Sequence, residues 1–237
     1  MHLGPCNIFG LNITKDQLIS YIQKYNIVAS IVQPFPGAPN AIQIHNEIYE
    51  LSRELSGKIY GMACINPYIG REKVSRELER VLKELKFVGI KINTAGHAVS
   101  PMNPHTDVIF EYAAKYRVPV MIHTGPGPFS DPMSIVPRVE EYTEVKIILA
   151  HAGSGIYGLG ALWLAKKYDN VYLEHSWVPI HDLKLFIDQV PNKVMFGTDL
   201  IENVPIELAK IEALKPPDNI KESILYKNAK KVFELPI

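Results

Sequence analysis

Three short apolar stretches of this chain each end in a side chain that can bind a metal ion. The stretch Pro119–Gly125 carries His123, Lys146–Gly153 carries His151, and Val194–Asp199 ends in Asp199. Apolar runs with β-branched residues are typical of strands that are buried on both faces of a parallel sheet. A polar group in such a place is costly unless it is paired or bound. Three strands that deliver such groups at one end therefore predict a metal site.

The rest of the chain alternates strand-like and helix-like segments, which predicts right-handed βαβ units and a parallel sheet. We count seven strands, each followed by a helix, after the opening stretch. This pattern predicts a single domain over residues 1–237, an α/β fold of the (β/α)8 TIM barrel type whose first strand is short or truncated. The active sites of such barrels lie at the C-terminal ends of the strands, where the three side chains fall.

Composition favours a small molecule over several other classes of partner. The 25 Lys and Arg residues balance the 25 Asp and Glu residues, so nucleic acid and anionic membranes are not favoured. No apolar run approaches the roughly 18 residues of a membrane span, and no secretory leader is visible. We expect a cytoplasmic protein that acts on a small molecule. The two cysteines, Cys6 and Cys64, are predicted to be neither bridged nor catalytic.

Several motifs in order resemble a known family. They are His-Leu-Gly at His2, Ile-His-Thr-Gly around His123, Leu-Ala-His-Ala-Gly around His151, and Phe-Gly-Thr-Asp ending at Asp199. The C-terminal segment 224–233 also fits. The chain resembles the amidohydrolase superfamily, in the branch that includes aminocarboxymuconate-semialdehyde decarboxylase and many metal-dependent hydrolases.

The resemblance implies roles for these residues. The family's first strand carries Asp-x-His-x-His, and His2 matches the second of its two metal-binding histidines. The first would lie two positions earlier, so we expect either that the coding sequence upstream of Met1 supplies it or that the site is incomplete. His123 and Asp199 become metal ligands, and Asp199 also the base that takes a proton from bound water. His151 becomes either a ligand of a second metal or a catalytic side chain that polarises the substrate.

The donor set also suggests the cofactor and the reaction. Imidazole and carboxylate ligands suit a divalent metal ion, zinc first, then manganese, iron or cobalt. Such an ion brings the pKa of bound water towards neutrality. We expect hydrolysis of a small amide, ester or lactone, with decarboxylation of a small carboxylic acid as the alternative. A metal-free pseudoenzyme or binding protein is the third hypothesis. The resemblance also suggests a homodimer, since members of the family often form dimers.

Two basic residues are candidates for substrate binding. Lys91 lies inside the apolar strand Val88–Asn93, and lysines are rarely buried in such a strand without a partner. It could be carboxylated and bridge two metals, bind a substrate carboxylate, or extend to water from a strand end. Arg138 is the nearest arginine for an anionic group. We predict that both Lys91 and Arg138 bind the substrate.

The remaining polar residues receive simpler interpretations. Strand alternation turns only one of Glu174 and His175 inward. His45 is predicted to be structural or on the surface. Three further histidines in loops or at helix starts are predicted to be solvated, namely His97, His105 and His181.

Overall fold

The computed structural model describes residues 1–237 as alternating strands and helices. The strands are β1 (His2–Cys6), β2 (Leu11–Ile13), β3 (Ser30–Pro34), β4 (Ile59–Gly61), β5 (Ala63–Cys64), β6 (Ile90–Ile92), β7 (Val120–His123), β8 (Ile147–Ala150), β9 (Val171–Glu174) and β10 (Val194–Met195). The helices are α1 (Lys15–Lys24), α2 (Ala41–Glu54), α3 (Arg71–Glu79), α4 (Asp107–Tyr116), α5 (Val136–Glu141), α6 (Gly158–Lys167), α7 (Ile180–Gln189), α8 (Val204–Leu214), α9 (Asp218–Glu222) and α10 (Asn228–Phe233). Single π-helical turns follow α3 (Arg80–Glu84) and α9 (Ser223–Lys227).

The first helices begin where their sequences supply caps. The side chain of Thr14 accepts a hydrogen bond from the Gln17 backbone, and the Gln17 side chain accepts one from the Thr14 backbone. This reciprocal pair satisfies two of the amide groups that a helix start leaves without partners. Asn40 caps α2 in the simpler way, through Gln43 N. Thr14 is therefore the N-cap of α1.

The parallel strands follow one another in chain order across two hydrogen-bonded sheets. One sheet has the order β2-β1-β3-β4 and the other β10-β9-β8-β7-β6-β5. Met62 separates β4 from β5 and joins the sheets, since its amide bonds to Val32 O and the next amide, Ala63 N, bonds to Gly89 O. Only β2 is antiparallel, as a hairpin partner of β1 that the sequence did not predict. The predicted α/β fold with parallel strands is confirmed.

The two edges of this curved sheet approach each other without pairing. β1 and β10 share no ladder, yet His2 on β1 lies 3.1 Å from Asp199, which follows β10. Closure of a barrel by hydrogen bonds is therefore not observed. β1 itself has five residues, but its parallel pairing with β3 covers only His2 and Leu3.

Strand alternation divides the interior into two layers. Residues such as Ile147, Leu149 and Leu173 pack against the helices in the main core. Ile148 and Tyr172, which alternate with them, belong to a second cluster on the inner face of the sheet. Lys91 alternates with core residues in the same way, so it also lies on the inner face. This is the face that carries the polar side chains at the strand ends.

None of the helices combines the length and the apolar character that a membrane span requires.

Candidate active site

His2 makes four contacts, three of them through its ring nitrogens. Nδ1 donates to Pro34 O at 3.1 Å, and the ring stacks on Phe35 with centroids 4.3 Å apart. Nε2 therefore carries the lone pair of the neutral ring, and it faces Asp199 Oδ1 at 3.1 Å and Gln33 Nε2 at 3.2 Å. Burial lowers the pKa of His2 despite its proximity to Asp199. The neutral ring thus presents a lone pair next to a carboxylate oxygen.

Asp199 is the anionic partner of this pair. Burial raises its pKa, but the neighbouring His2, His151 and Lys91 outweigh burial and hold the pKa well below the usual value. Its second oxygen, Oδ2, accepts a hydrogen bond of 3.0 Å from Trp177 Nε1. An ionised carboxylate 3.1 Å from an imidazole lone pair is a place where a cation is stabilised.

His123 and His151 lie together at the ends of β7 and β8. Their ring centroids are 4.9 Å apart, in an edge-to-face arrangement. Burial, followed by the proximity of His151 and Lys91, lowers the pKa of His123 to about 3. His123 is neutral near pH 7 and therefore able to act as a ligand.

His151 belongs to a buried hydrogen-bonded network with Ser176 and Glu174. Nδ1 of His151 lies 2.8 Å from Ser176 Oγ, which donates to Glu174 Oε2 at 2.9 Å. The amides of His151 and Ser176 also bond to the Glu174 carboxylate. Strand alternation predicts that only one of Glu174 and His175 faces inward. Glu174 faces the site, while His175 points away and contacts Glu207.

Lys91 is buried on the inner face of β6, with an exposed fraction of 2%. Desolvation lowers the pKa of its ammonium, against the opposing charges of Asp199 and Glu174. Its Nζ forms no hydrogen bond or ion pair within the protein, and the side chain lines the central cavity. The cavity therefore receives a basic side chain that has no partner in the protein and is available to an anionic group.

This cavity has a volume of about 560 Å³ and is lined mainly by apolar side chains. Its polar lining includes Gln33, Lys91, His151, Glu174 and Asp199. A largely apolar cavity with a few convergent polar groups is the usual form of a small-molecule site.

The donor set suits a divalent cation, although the side chains do not already enclose one. No three or more His, Cys, Asp and Glu side chains surround a common point. His2 and Asp199 face each other, and His2 is oriented by a carbonyl in the manner of a metal ligand. In addition, Gln33 Oε1 is buried without a hydrogen-bond partner. These features fit a cation at the His2–Asp199 pair.

Three residues that follow strands have strained backbone conformations. His151, Trp177 and Asp199 have φ values of 64°, 64° and 59°, in the left-handed region that residues with a side chain rarely adopt. Such conformations cost roughly 1–3 kcal/mol each and cluster at functional sites.

The prediction for Arg138 is corrected. Its guanidinium lies on α5, pairs with Asp107 and Glu141, and donates to Pro101 O. It is absent from the cavity lining, because its ion pairs fix it between helices.

The other histidines for which the sequence analysis made a prediction, and both cysteines, have the following surroundings. His45 is structural, as predicted, since it bonds to Glu77 and accepts from Cys64 N. His105 and His181 are exposed, also as predicted. His97 was predicted to be solvated but is buried, because its turn packs inward. Both cysteines are free and buried.

Three residues of the site were missed by the sequence analysis, namely Gln33, Ser176 and Trp177. A polar Gln33 within the apolar run 31–34 was the signal that could have identified the first. Ser176 and Trp177 directly follow a strand of the barrel pattern, which is where functional residues occur.

Comparison with known families identifies the chain's relatives. The sequence model of the amidohydrolase family, described as "Amidohydrolase", matches residues 29–235. A search of curated proteins found no match.

Solved structures with a similar fold include three decarboxylases. The 2,6-dihydroxybenzoate decarboxylase from Rhizobium has a TM-score of 0.76 at 17% identity, over 95% of this chain and 90% of that one. The dihydroxybenzoic acid decarboxylase from Polaromonas sp. JS666, with bound manganese and 2-nitroresorcinol, has a TM-score of 0.75 at 19% identity, over 96% and 88%. The 5-carboxyvanillate decarboxylase from Novosphingobium aromaticivorans, complexed with manganese, has a TM-score of 0.73 at 18% identity, over 92% and 80%.

With a family match over most of its length, this chain belongs to the amidohydrolase family.

Proposed function

We propose that this protein is a divalent-metal-dependent hydrolase of a small organic substrate with an amide, ester or lactone bond. The observation that carries the proposal is the facing pair of acceptors, His2 Nε2 and Asp199 Oδ1, at 3.1 Å beside the cavity. His2, His123 and Asp199 are the residues that would hold the cation. When bound, a divalent ion supplies Lewis-acid polarisation of a substrate oxygen and favours ionisation of water near pH 7.

The chain's own groups then have distinct roles. Asp199, ionised and anchored by Trp177, is suited to accept a proton from attacking water and to pass it to the leaving group. Lys91 is suited to bind an anionic group of the substrate, because its ammonium has no partner in the protein. The apolar lining excludes water from the rest of the substrate.

Decarboxylation of a small carboxylic acid is the second candidate. Here the carboxylate held by Lys91 would itself leave as CO2, and the carbon that carried it would take up one proton. The buried, unpaired Lys91 ammonium favours this candidate. The three relatives of similar fold are also named as decarboxylases.

Metal content tests the site. The protein, purified without chelators and incubated with Zn²⁺ or Mn²⁺, should retain close to one equivalent by elemental analysis after gel filtration. His123→Ala and Asp199→Ala should each lower this content sharply, whereas His105→Ala, which removes an exposed histidine, should not. Unchanged metal content in both site variants would refute the site.

The products separate the two reactions. The metal-loaded protein is incubated with a panel of lactones, esters and amides, and with a panel of aromatic and unsaturated acids. Released acid with no CO2 supports the hydrolase, and released CO2 supports the decarboxylase.

Four further expectations stay predictions. They are a closed (β/α)8 barrel, one domain over residues 1–237, association as a homodimer, and a cytoplasmic location. The same holds for zinc as the resident ion. Manganese is the ion named for two of the relatives of similar fold.

A further inference from the structure

The network around His151 has a fixed direction of hydrogen bonding. Glu174, when ionised, can only accept. It accepts from His151 N at 3.1 Å, from Ser176 N at 2.8 Å and from Ser176 Oγ at 2.9 Å. The single hydroxyl proton of Ser176 therefore points to Glu174, and the oxygen is left to accept.

The acceptor role of Ser176 decides which nitrogen of His151 carries the proton. Ser176 Oγ lies 2.8 Å from His151 Nδ1, so Nδ1 must be the donor. A neutral imidazole has one N–H only, and Nε2 consequently keeps the lone pair.

Two features of the backbone keep Glu174 in place. Gly197 lies next to the carboxylate, and a Cβ at this position would overlap with Glu174 Oε1. The left-handed backbone of His151, with φ 64°, belongs to the residue whose amide bonds to Glu174 Oε2. All three side chains are buried, with exposed fractions of 5%, 0% and 7% for His151, Ser176 and Glu174.

We propose that Glu174 and Ser176 are positioning residues that hold neutral His151 as the Nδ1–H tautomer, so that Nε2 is the ring nitrogen available to substrate or metal. Neutral His151 then offers no N–H to the site through Nε2, and cannot polarise a substrate carbonyl by donation. It acts as a proton acceptor or as a ligand. The use of Nε2 rests on the proposed function, whereas the tautomer does not.

The tautomer can be measured without substrate or metal. The test is nitrogen NMR of the full chain labelled with ¹⁵N-histidine, near neutral pH, with His151 assigned by the loss of its signals in His151→Asn. In the wild type, Nδ1 should appear as a pyrrole-type and Nε2 as a pyridine-type nitrogen. A wild-type His151 with the proton on Nε2 would overturn the proposal.

Two variants test the positioning roles. Ser176→Ala removes the acceptor and should give a mixture of both tautomers. Glu174→Gln should keep the Nδ1–H form, because the amide oxygen can stay at the Oε2 position, where two donors meet. Unchanged tautomer populations in Ser176→Ala would contradict the role of Ser176, and inversion in Glu174→Gln would contradict the assigned direction of bonding.

His45 is the internal control. Its Nε2 accepts from Cys64 N and its Nδ1 bonds to Glu77, so it has the same tautomer for independent reasons. Its signals should be unchanged in both variants. Because the metal measurement and the NMR measurement are separate, failure of the proposed metal site leaves the tautomer result interpretable, and the reverse also holds.

Discussion

Trp177 Nε1 donates a hydrogen bond of 3.0 Å to Asp199 Oδ2, so only Oδ1 of this carboxylate is turned towards His2. The Trp177 backbone is itself anchored, because its amide donates to Glu207 Oε1 at 3.0 Å. Glu207 is buried and also contacts His175 and Lys210. A chain of contacts therefore runs from α8 to the carboxylate of Asp199, which is proposed to hold the metal ion.

We expect Trp177→Phe to weaken binding of Zn²⁺ and Mn²⁺ by roughly 10- to 100-fold, the effect typical of losing an outer partner of a ligand. The phenyl ring retains the apolar bulk but cannot donate to Asp199. Isothermal titration of the metal-free protein measures the change. Trp163→Phe is the matched control, because Trp163 lies on α6 and its side chain contacts Lys167 and Tyr168. Equal affinities for the two variants would exclude an orienting role for Trp177.

Gly197→Ala should reduce the free energy of unfolding by about 1–3 kcal/mol, the usual cost of overfilling a packed interior. The new methyl group would overlap with the Glu174 carboxylate, which cannot move without losing its three hydrogen bonds. Urea denaturation at neutral pH gives the value.

Gly160→Ala provides the comparison for Gly197. Gly160 lies within α6, and the nearest atom to its new methyl would be 3.5 Å away, on Met133. This substitution should be neutral or stabilising by about 0.5–1 kcal/mol. Equal stability of the two variants would mean that the Glu174 pocket is not rigid.

The sequence predicts those parts of the site that depend on neighbours along the chain. Lys91 stands between Ile90 and Ile92, so alternation alone places it opposite the core face, as observed. The same logic puts His123 at the end of β7. The parallel order of strands followed from the alternation of strands and helices, which constrains the topology strongly.

Contacts between distant segments could not be predicted in this way. The sequence predicts that Arg138 is available to an anionic ligand, because Asp107 is 31 positions away and becomes its partner only when α4 and α5 pack. The sequence predicts a solvated His97 for the same reason. The hydrogen bond between Trp177 and Asp199 forms between two residues with left-handed backbone conformations. Neither residue type predicts such a conformation.

Lys91→Met should stabilise the protein while weakening anion binding. The substitution removes a buried basic group that has no partner, whose burial costs at least about 1–3 kcal/mol, and keeps a side chain of similar length. Thermal unfolding should show a higher Tm for Lys91→Met, whereas Lys73→Met, on the exposed side of α3, should change little. Small carboxylic acids that raise the Tm of the wild type should lose this effect in Lys91→Met. A lower Tm would mean that Lys91 is stabilised by Asp199 and Glu174 more than it is penalised by burial.

His97 should make the protein less stable as the pH falls from neutral towards 4. Burial lowers the pKa of His97 to about 4, against an ordinary value of 6.5, and its Nδ1 has no hydrogen-bond partner. Between these two values the unfolded chain binds a proton that the folded chain does not, so the contribution is present above pH 6.5 and declines below it. The loss between pH 7 and pH 5 amounts to about 2 kcal/mol. Urea denaturation at both pH values should therefore show a smaller pH dependence for His97→Gln than for the wild type, by about this amount. His105→Gln, at an exposed position, should behave as the wild type, and an undiminished pH dependence in His97→Gln would assign the effect to the other buried histidines.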